Sequence, residues 1–368
     1  MKIIATKEQL EAGTQTVNRA VSSKNTIPAL SGIYLKTSPD NLVLKATDLE
    51  IGIECVIAAQ ANKEGEVVIP ARYFTEIVKK SPDEQVEILV EDNYLVKISS
   101  GRSLFQIHGF APHDFPNLPQ PAERKIDWVN KDLLKTAIRQ TIFATASSEN
   151  RPVLTGVLYE RKEQELVTVA TDGHRLAYKN VEVANNPNNR NTVIIPTKTL
   201  QELNRLLANT EEETVGVIIE NNQIFFDLGN VKIYSRLVEG QYPNYEGVIP
   251  KSSTIKVKLM NKIFADALER CSLLAKDGTN LVRINLEGNK LKIYSESPEI
   301  GQVYEEIDVE SEGGTIEIGF NSRYLLEGLR AIEEEEVGLE MNSSLSPATL
   351  RPINSDNYLY VVMPVRLV

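Results

Sequence analysis

One pattern of residues occurs three times along the 368-residue chain, and this repetition limits the possible folds more than any other feature. The first two copies share short segments in the same order: residues 32–35 and 156–159, residues 46–48 and 170–172, residues 68–72 and 194–198, and residues 115–117 and 242–244. The spacing is 124 residues for the first two pairs, 126 for the third and 127 for the fourth. Duplicated domains, each about a third of the chain, explain this regularity.

The third copy is fainter. Residues 291–296 (Leu-Lys-Ile-Tyr-Ser-Glu) stand where the Ala-Thr-Asp strand is expected, and residues 318–323 (Ile-Gly-Phe-Asn-Ser-Arg) replace the Ile-Pro segment. The alternative is a chance likeness between the strands of any α+β chain. The shared order and spacing argue against it.

Each copy predicts the same secondary structure. Apolar residues at helical spacing follow a short opening strand and indicate an amphipathic helix. Strands with period-two alternation come next, most clearly at Ile51, Ile53, Cys55 and Ile57. A second helix begins after the Ile-Pro segment, where proline suits a helix start. The predicted helices span residues 7–22, 71–80, 130–144, 197–208, 261–275 and 322–332.

Proline-rich stretches separate the copies, at residues 111–127 and 242–254, and indicate linkers. The sequence therefore predicts an α+β fold with three similar domains, at residues 1–120, 121–248 and 249–368. Each domain has two helices packed on antiparallel sheets.

Composition narrows the class of protein. No stretch approaches the roughly 20 apolar residues that a membrane-spanning helix needs. The N-terminal residues lack the apolar core of a signal peptide. Only two cysteines are present, which excludes a disulfide framework, and we expect a cytoplasmic protein. The formal charge of −11 argues by itself against nucleic-acid binding, although a net value does not locate the cations.

Two specific classes of protein, an enzyme and a sequence-specific DNA-binding protein, fit the sequence poorly. An enzyme could use Asp172, His174 and Arg175 as an acid–base cluster, but a structural turn is the better interpretation because the first copy has Leu49-Glu50 after its own Asp48. There is no nucleotide-binding glycine loop, no Gly-x-Ser-x-Gly and no zinc spacing around His108 or His113, so we expect no catalytic residues, no metal and no cofactor. A sequence-specific DNA-binding protein would show a basic recognition helix or a zinc module, and neither is present.

Four separated motifs resemble one known family, the beta subunit of bacterial DNA polymerase III, or sliding clamp. They are residues 170–177 (Ala-Thr-Asp-Gly-His-Arg-Leu-Ala), 242–245 (Tyr-Pro-Asn-Tyr), 318–321 (Ile-Gly-Phe-Asn) and 360–367 (Tyr-Val-Val-Met-Pro-Val-Arg-Leu). Residues 47–49 and 68–72 also resemble it, so the likeness covers the chain from end to end.

The resemblance implies a non-catalytic DNA sliding clamp, a processivity factor whose three DNA-clamp domains form a ring as a head-to-tail homodimer. The ring encircles duplex DNA without reading its sequence. It holds the DNA polymerase III alpha subunit, the clamp loader and other polymerases or repair proteins through short peptides. The alternative is a scaffolding repeat protein without topological DNA binding. Closure of a heterologous contact into a ring agrees with three repeats in each of two chains.

The resemblance also implies which residues act. A hydrophobic pocket for partner peptides is expected from Leu154, Thr171, Gly173, His174, Arg175, Leu176, Pro243, Val248, Val361, Met363, Pro364, Val365, Arg366 and Leu367. Family members have DNA-facing basic residues where Lys24, Arg72 and Lys198 stand. For each of these cations, an ordinary solvated surface charge is the alternative. For the terminal segment, the alternative is an ordinary closing strand.

Three departures from the family pattern affect these expectations. Pro152-Val153 replaces a tyrosine pair, which leaves a DNA contact from that loop open. Gly247 replaces an arginine found in some members, and Val368 follows the usual terminal Arg-Leu. The ring contact is expected to pack Phe105 and Ile107 on Leu273 and Leu274, with plain intradomain core as the alternative.

Overall fold

The structure is a computed structural model that describes residues 1–22, 27–121, 126–148, 150–184, 190–275 and 280–367. Its element order repeats three times, as the sequence predicts. The first repeat contains β1 (Lys2–Thr6), α1 (Lys7–Asn18), β2 (Gly32–Ser38), β3 (Asn41–Thr47), β4 (Ile51–Ala58), β5 (Gln60–Lys63), β6 (Glu66–Pro70), α2 (Ala71–Lys80), β7 (Gln85–Val90), β8 (Leu95–Ser100) and β9 (Ser103–His108).

The second and third repeats follow the same plan. The second contains β10 (Asp127–Asn130), α3 (Lys131–Thr141), β11 (Gly156–Arg161), β12 (Glu165–Thr171), β13 (Arg175–Glu182), β14 (Asn191–Pro196), α4 (Thr197–Leu207), β15 (Thr214–Glu220), β16 (Gln223–Asp227) and β17 (Val231–Arg236). The third contains β18 (Ile255–Met260), α5 (Asn261–Ala275), β19 (Leu281–Glu287), β20 (Lys290–Ser297), β21 (Gly301–Asp308), β22 (Glu310–Glu312), β23 (Ile316–Asn321), α6 (Ser322–Ala331), β24 (Glu336–Met341), β25 (Ala348–Pro352) and β26 (Tyr358–Val362).

The six helices lie where the sequence predicts them, and their ends follow from local hydrogen bonds. The Thr6 hydroxyl accepts a bond from the Gln9 amide at 3.2 Å and caps α1. The same helix ends four residues earlier than predicted, because the Ala20 amide bonds to the Val17 carbonyl at 3.0 Å and tightens the last turn. Helix α3 is also shorter than predicted, since residues 142–144 form a separate 3-10 turn.

The described chain divides into two compact units, and their limits do not follow the repeats. The first unit comprises Met1–Asp132 with Gln201–Leu237, and the second comprises Leu133–Leu200 with Val238–Val368. The first contains a five-stranded sheet, β5-β1-β7-β8-β9, and an eight-stranded sheet, β10-β15-β16-β17-β4-β3-β2-β6. The second contains a nine-stranded sheet, β14-β11-β12-β13-β26-β25-β24-β18-β22, and a four-stranded sheet, β21-β20-β19-β23.

Two of these sheets join strands of successive repeats. In the first unit, β17 of the second repeat pairs with β4 of the first. In the second unit, β26 of the third repeat pairs with β13 of the second. The last strand of one repeat thus continues a sheet of the preceding repeat. This connection explains why the compact units differ from the domains predicted at residues 1–120, 121–248 and 249–368, whose borders stay predictions.

The segment after each repeat covers the same sheet edge. The Phe110 amide bonds to the Val68 carbonyl at 2.8 Å, the Val238 amide to Ile194 at 2.9 Å and the Val365 amide to Gly319 at 2.8 Å. These acceptors belong to β6, β14 and β23. Among the described outer strands, β5, β10 and β22 have only four, four and three residues. Among the described outer strands, the longer β9 and β21 therefore remain as open sheet edges. Proteins usually cover or pair an exposed edge of this length.

Candidate functional site

The turn between β12 and β13 organises the predicted peptide pocket. Asp172 Oδ1 accepts bonds from the amides of His174 at 2.9 Å and Arg175 at 3.1 Å. The Thr171 hydroxyl donates to the Arg175 carbonyl at 2.6 Å and accepts from the Gly173 amide at 3.1 Å. Gly173 has φ +92°, a left-handed conformation that glycine adopts without steric cost. Asp172 thus serves as a turn former, in agreement with the structural interpretation of this cluster.

Arg175 lies beneath this turn. Its side chain is 6% exposed, and its Nε is 3.0 Å from Asp172 Oδ2. The guanidinium also pairs with Glu327 of α6 and donates to the Phe143 carbonyl at 2.7 Å. Its Cζ is 4.4 Å from the centre of the Tyr324 ring, within cation–π range. The cation predicted to line the pocket is therefore fully engaged, and it holds the turn in place from below.

The pKa values of this cluster favour the charged pair. Burial acts most strongly on Glu327 and tends to raise its pKa, but hydrogen bonds and charge from Arg175 and Arg323 outweigh burial, so the pKa lies below the usual carboxyl value. For Arg175, burial tends to lower the pKa, while the Tyr360 hydroxyl and Glu327 raise it further than burial lowers it. Both groups are ionised at neutral pH.

An apolar floor lies beside the turn. Leu176 on β13 is directly opposite Val361 on β26, and the two residues are 3% and 1% exposed. They belong to one buried cluster, against which Tyr242 and Tyr245 of the 242–245 motif also pack. Leu154, in the 3-10 turn Pro152–Thr155, is also buried. These residues form a buried apolar layer beside the turn, and their role as the floor of a peptide pocket stays a prediction.

The rim of this surface combines apolar and polar groups. Val248 is 45% exposed and Met363 is 37% exposed. The Met363 amide donates to the His174 carbonyl at 2.9 Å and so ties the terminal segment to the turn. Gly173, His174, Pro243 and Arg366 are exposed, whereas Thr171, Pro364, Val365 and Leu367 are half-buried. A Cβ at Gly247 would meet only Asn244, at 3.7 Å, so that wall is open.

Several residues of the cluster were not predicted from the sequence. Phe143, Tyr324 and Glu327 hold Arg175, yet Glu327 is 152 positions away from it along the chain. No local motif marks such a partner. Tyr242 and Tyr245 had a signal, since both lie in the Tyr-Pro-Asn-Tyr motif, but they act as packing residues against the cluster that contains Leu176 and Val361.

Of the predicted DNA-facing cations, Lys24 lies outside the described residues. Arg72 and Lys198 are exposed, and each is the second residue of its helix, α2 or α4. Arg323, which the sequence aligns with Arg72 but which was not predicted to face DNA, is likewise the second residue of its helix, α6. A cation in the first turn opposes the helix dipole. Arg323 offsets this cost through an ion pair with Glu327 on the same helix, Nε to Oε1 at 2.9 Å.

The residues predicted for the ring contact lie on open surface. Phe105 on the edge strand β9 is 37% exposed, and Ile107 is half-buried. At the end of α5, Leu273 is 64% exposed and Leu274 is half-buried. These exposed apolar groups are therefore available for the predicted ring contact, which stays a prediction.

The part of the chain that the structure describes shows neither a metal-binding cluster nor a membrane-spanning helix. Within the described residues, no group of three or more His, Cys, Asp or Glu side chains could hold a metal ion. No helix in that part of the chain is long and apolar enough to cross a membrane.

Comparison with known proteins matches successive parts of the chain to domains of one protein family. Family models of the DNA polymerase III beta subunit match residues 1–119 (N-terminal domain), 128–244 (central domain) and 246–366 (C-terminal domain). The "Beta sliding clamp" of Staphylococcus aureus is 37% identical over 358 residues, with 95% of this chain and 94% of the relative covered.

Solved structures agree with this assignment. The DNA polymerase sliding clamp of Bacillus subtilis superimposes with a TM-score of 0.97 at 36% identity, and both chains are covered completely. A Pseudomonas aeruginosa sliding clamp bound to griselimycin gives 0.95 at 33%, again with full coverage of both chains. The prediction of three similar clamp domains is confirmed. The chain belongs to the DNA polymerase III beta subunit family, the DNA sliding clamps.

Proposed function

We propose that two copies of this chain close head to tail into a ring that encircles duplex DNA and tethers the replicative polymerase. The chain acts as a cytoplasmic, non-catalytic accessory subunit that uses no cofactor. The clamp loader and other polymerases or repair proteins share its peptide pocket. The proposal rests chiefly on one observation, the pattern of strand pairing between repeats.

Strand pairing argues for the ring contact. The last strands of the second and third repeats, β17 and β26, each pair with the fourth strand of the preceding repeat, β4 or β13. By the same rule β9 needs a partner equivalent to β4, and β21 of the third repeat occupies that position in the element order. Since β9 and β21 are the open edges of their sheets, pairing between two copies is the natural continuation. A head-to-tail contact of this kind closes when the rotation allows it.

The repeated helix-start cations support the DNA contact. Arg72, Lys198 and Arg323 occupy equivalent positions at the starts of α2, α4 and α6, so a ring of two chains carries six of them. Phosphate contacts of this type hold the duplex without reading bases and allow sliding. The net charge of −11 is compatible with DNA contact when the acidic groups lie away from the DNA-facing surface.

The surface beside the Thr171–Arg175 turn supports peptide capture. Leu176 and Val361 form its floor, and Val248 and Met363 stand exposed at its rim. Met363 adapts to different anchors because its side chain is flexible and polarizable. Several partners can therefore use one site with related peptides.

A topological assay tests the encircling function. The protein is loaded onto nicked circular DNA with a bacterial clamp loader, and the DNA is then cut once by a restriction enzyme. We expect the protein to co-elute with the circle and to leave the linear product by sliding off its ends. A protein that stays bound equally to circle and linear product is a scaffold or an ordinary DNA-binding protein, and the proposal fails.

A further inference from the structure

The turn that organises the peptide pocket has a second copy in the first unit, at Thr47–Ile51. The Thr47 hydroxyl donates to the Ile51 carbonyl at 2.8 Å and accepts from the Leu49 amide at 3.0 Å. Asp48 Oδ1 accepts from the amides of Glu50 at 3.0 Å and Ile51 at 2.8 Å. These four bonds match those of Thr171 and Asp172 one for one.

The strand beside each turn is also equivalent. Gly52 on β4 is opposite Tyr234 on β17, as Leu176 on β13 is opposite Val361 on β26. The Arg236 amide donates to the Glu50 carbonyl at 2.9 Å, and the Met363 amide donates to the His174 carbonyl at the same distance. We call the turn Thr47–Ile51, together with β4 and β17, the first junction. The turn Thr171–Arg175, together with β13 and β26, is the second junction.

The two junctions differ in the pair that forms the floor. The second has leucine and valine, whereas the first has glycine and tyrosine. A Cβ placed on Gly52 would lie 1.7 Å from Tyr234 Cε1, so the ring rests directly over the glycine backbone. Only a residue without a side chain leaves room for the ring there.

The Tyr234 ring is firmly held. It is 8% exposed and packs with Ile218 and Phe225, against which Leu118 of the linker also lies. Its hydroxyl shares a hydrogen bond of 2.6 Å with the Thr47 hydroxyl, inside the turn. Displacing the ring would break this buried bond and the apolar contacts of the ring.

We propose that Tyr234 is a built-in occupant of the first junction, which confines partner-peptide capture to the second. Gly52 and Tyr234 therefore decide how many peptides each chain accepts. The inference rests on the proposed peptide-binding function. It adds that the repeat supplies two frames for a pocket, of which one is closed by its own side chain.

Exchange of the floor residues tests this inference. The probe is a synthetic peptide that copies the C-terminus of a DNA polymerase III alpha subunit, titrated calorimetrically into the full-length protein. The wild type reports on the proposed function, with one peptide per chain expected. The double variant Gly52→Leu with Tyr234→Val gives the first junction the floor of the second, and we expect two peptides per chain.

A matched control and a background variant locate the new site. Tyr234→Phe keeps the ring and removes only the hydroxyl, so we expect one peptide per chain. In a chain whose second junction is disabled by Met363→Asp, the double variant should restore saturable binding. A folded double variant that still takes one peptide overturns the inference, and so does a wild type that takes two.

Two further variants cover a double variant that does not fold. Tyr234→Leu alone frees the surface over Gly52 and should add a second, weaker site. The reciprocal exchange, Leu176→Gly with Val361→Tyr, should close the second junction and abolish binding while the circular dichroism spectrum is unchanged. Wild-type affinity in that reciprocal variant would contradict the role given to the tyrosine. Absence of binding in the wild type would instead count against the proposed function.

Discussion

The guanidinium of Arg175 and the carboxylate of Glu327 form a buried ion pair beneath the pocket turn, and each depends on the other. Arg175 also bonds to Asp172 and to the Phe143 carbonyl. Removal of one partner from such a pair leaves an uncompensated charge, which typically costs about 3–5 kcal/mol. Glu327 is partly solvated, with a side chain 22% exposed, so the lower end of that range applies.

We therefore expect Arg175→Gln to lower the free energy of unfolding by about 3 kcal/mol in urea titrations. Arg323→Gln is the matched control, because it removes a 72% exposed partner of the same carboxylate. An exposed pair contributes about 0–1 kcal/mol, so the control should change little. Equal losses in both variants would show that the buried guanidinium has no special role.

The same pair predicts how stability depends on pH. The pKa of Glu327 is lower in the folded protein than its usual value, so the unfolded chain binds the proton more readily. This contribution to stability is complete above the usual carboxyl pKa and is lost as the pH falls through the folded value. The unfolding free energy of Glu327→Gln should therefore fall less steeply below about pH 4.5 than that of the wild type. Parallel curves for the two proteins would contradict this assignment.

Met363 is the exposed residue whose replacement tests the peptide pocket most directly. Burial of a methionine side chain contributes about 1.5–3 kcal/mol, and a factor of ten in Kd corresponds to about 1.4 kcal/mol. We expect Met363→Asp to weaken binding of a polymerase C-terminal peptide at least about tenfold in fluorescence anisotropy. Leu345→Asp, at a 63% exposed leucine in the turn between β24 and β25, is the control and should bind normally.

At the scale of the elements, the first turns of α2, α4 and α6 are subject to two opposing requirements: helix stability disfavours a cation there, and contact with DNA phosphates favours one. Arg72 and Lys198 stand near the positive end of their helices, where a cation costs about 0.3–1 kcal/mol. We expect Arg72→Gln to raise the melting temperature slightly and to weaken DNA binding at low salt. Because each phosphate contact contributes about 0.9 to the slope of log K against log salt, the slope should become shallower. Glu76→Gln, at an exposed position on the same helix, should leave that slope unchanged.

The sequence predicts elements better than it predicts contacts between them. The helices and strands were found because their periodicity is local, and the three repeats confirm each other. The predicted ends of α1 and α3 were wrong because each helix tightens into a shorter turn at its end. Such a change depends on individual hydrogen bonds, which the periodicity of the sequence does not show. The Arg175–Glu327 pair and the Gly52–Tyr234 contact were missed because their partners are far apart in the chain, and a single sequence gives no measure of such proximity.

At the scale of the whole molecule, the internal junctions predict the register between two copies. The pairings of β8 with β9 and of β16 with β17 make Gln106 the equivalent of Tyr234. The pairings of β3 with β4 and of β20 with β21 make Gln302 the equivalent of Gly52. Since Gly52 is opposite Tyr234, Gln302 of one copy should be opposite Gln106 of the other. Phe105 then faces the same side as Ile107, toward the exposed leucines of α5.

This register can be tested by covalent closure. Directly opposed residues of antiparallel strands have Cα atoms about 4.5–5.5 Å apart, which suits a disulfide. Both native cysteines are buried, so they should not compete. We expect Gln106→Cys with Gln302→Cys to form, under mild oxidation, a covalent dimer joined at both contacts, which runs anomalously on a non-reducing gel. When this protein is loaded onto circular DNA before oxidation, the covalent dimer should resist high salt and leave only after the DNA is cut.

The control is the pair Arg102→Cys with Gln302→Cys, in which the cysteine on the β9 side is shifted by four positions. This pair should cross-link poorly. Equal cross-linking yields for the two pairs would disprove the register while leaving the ring itself intact.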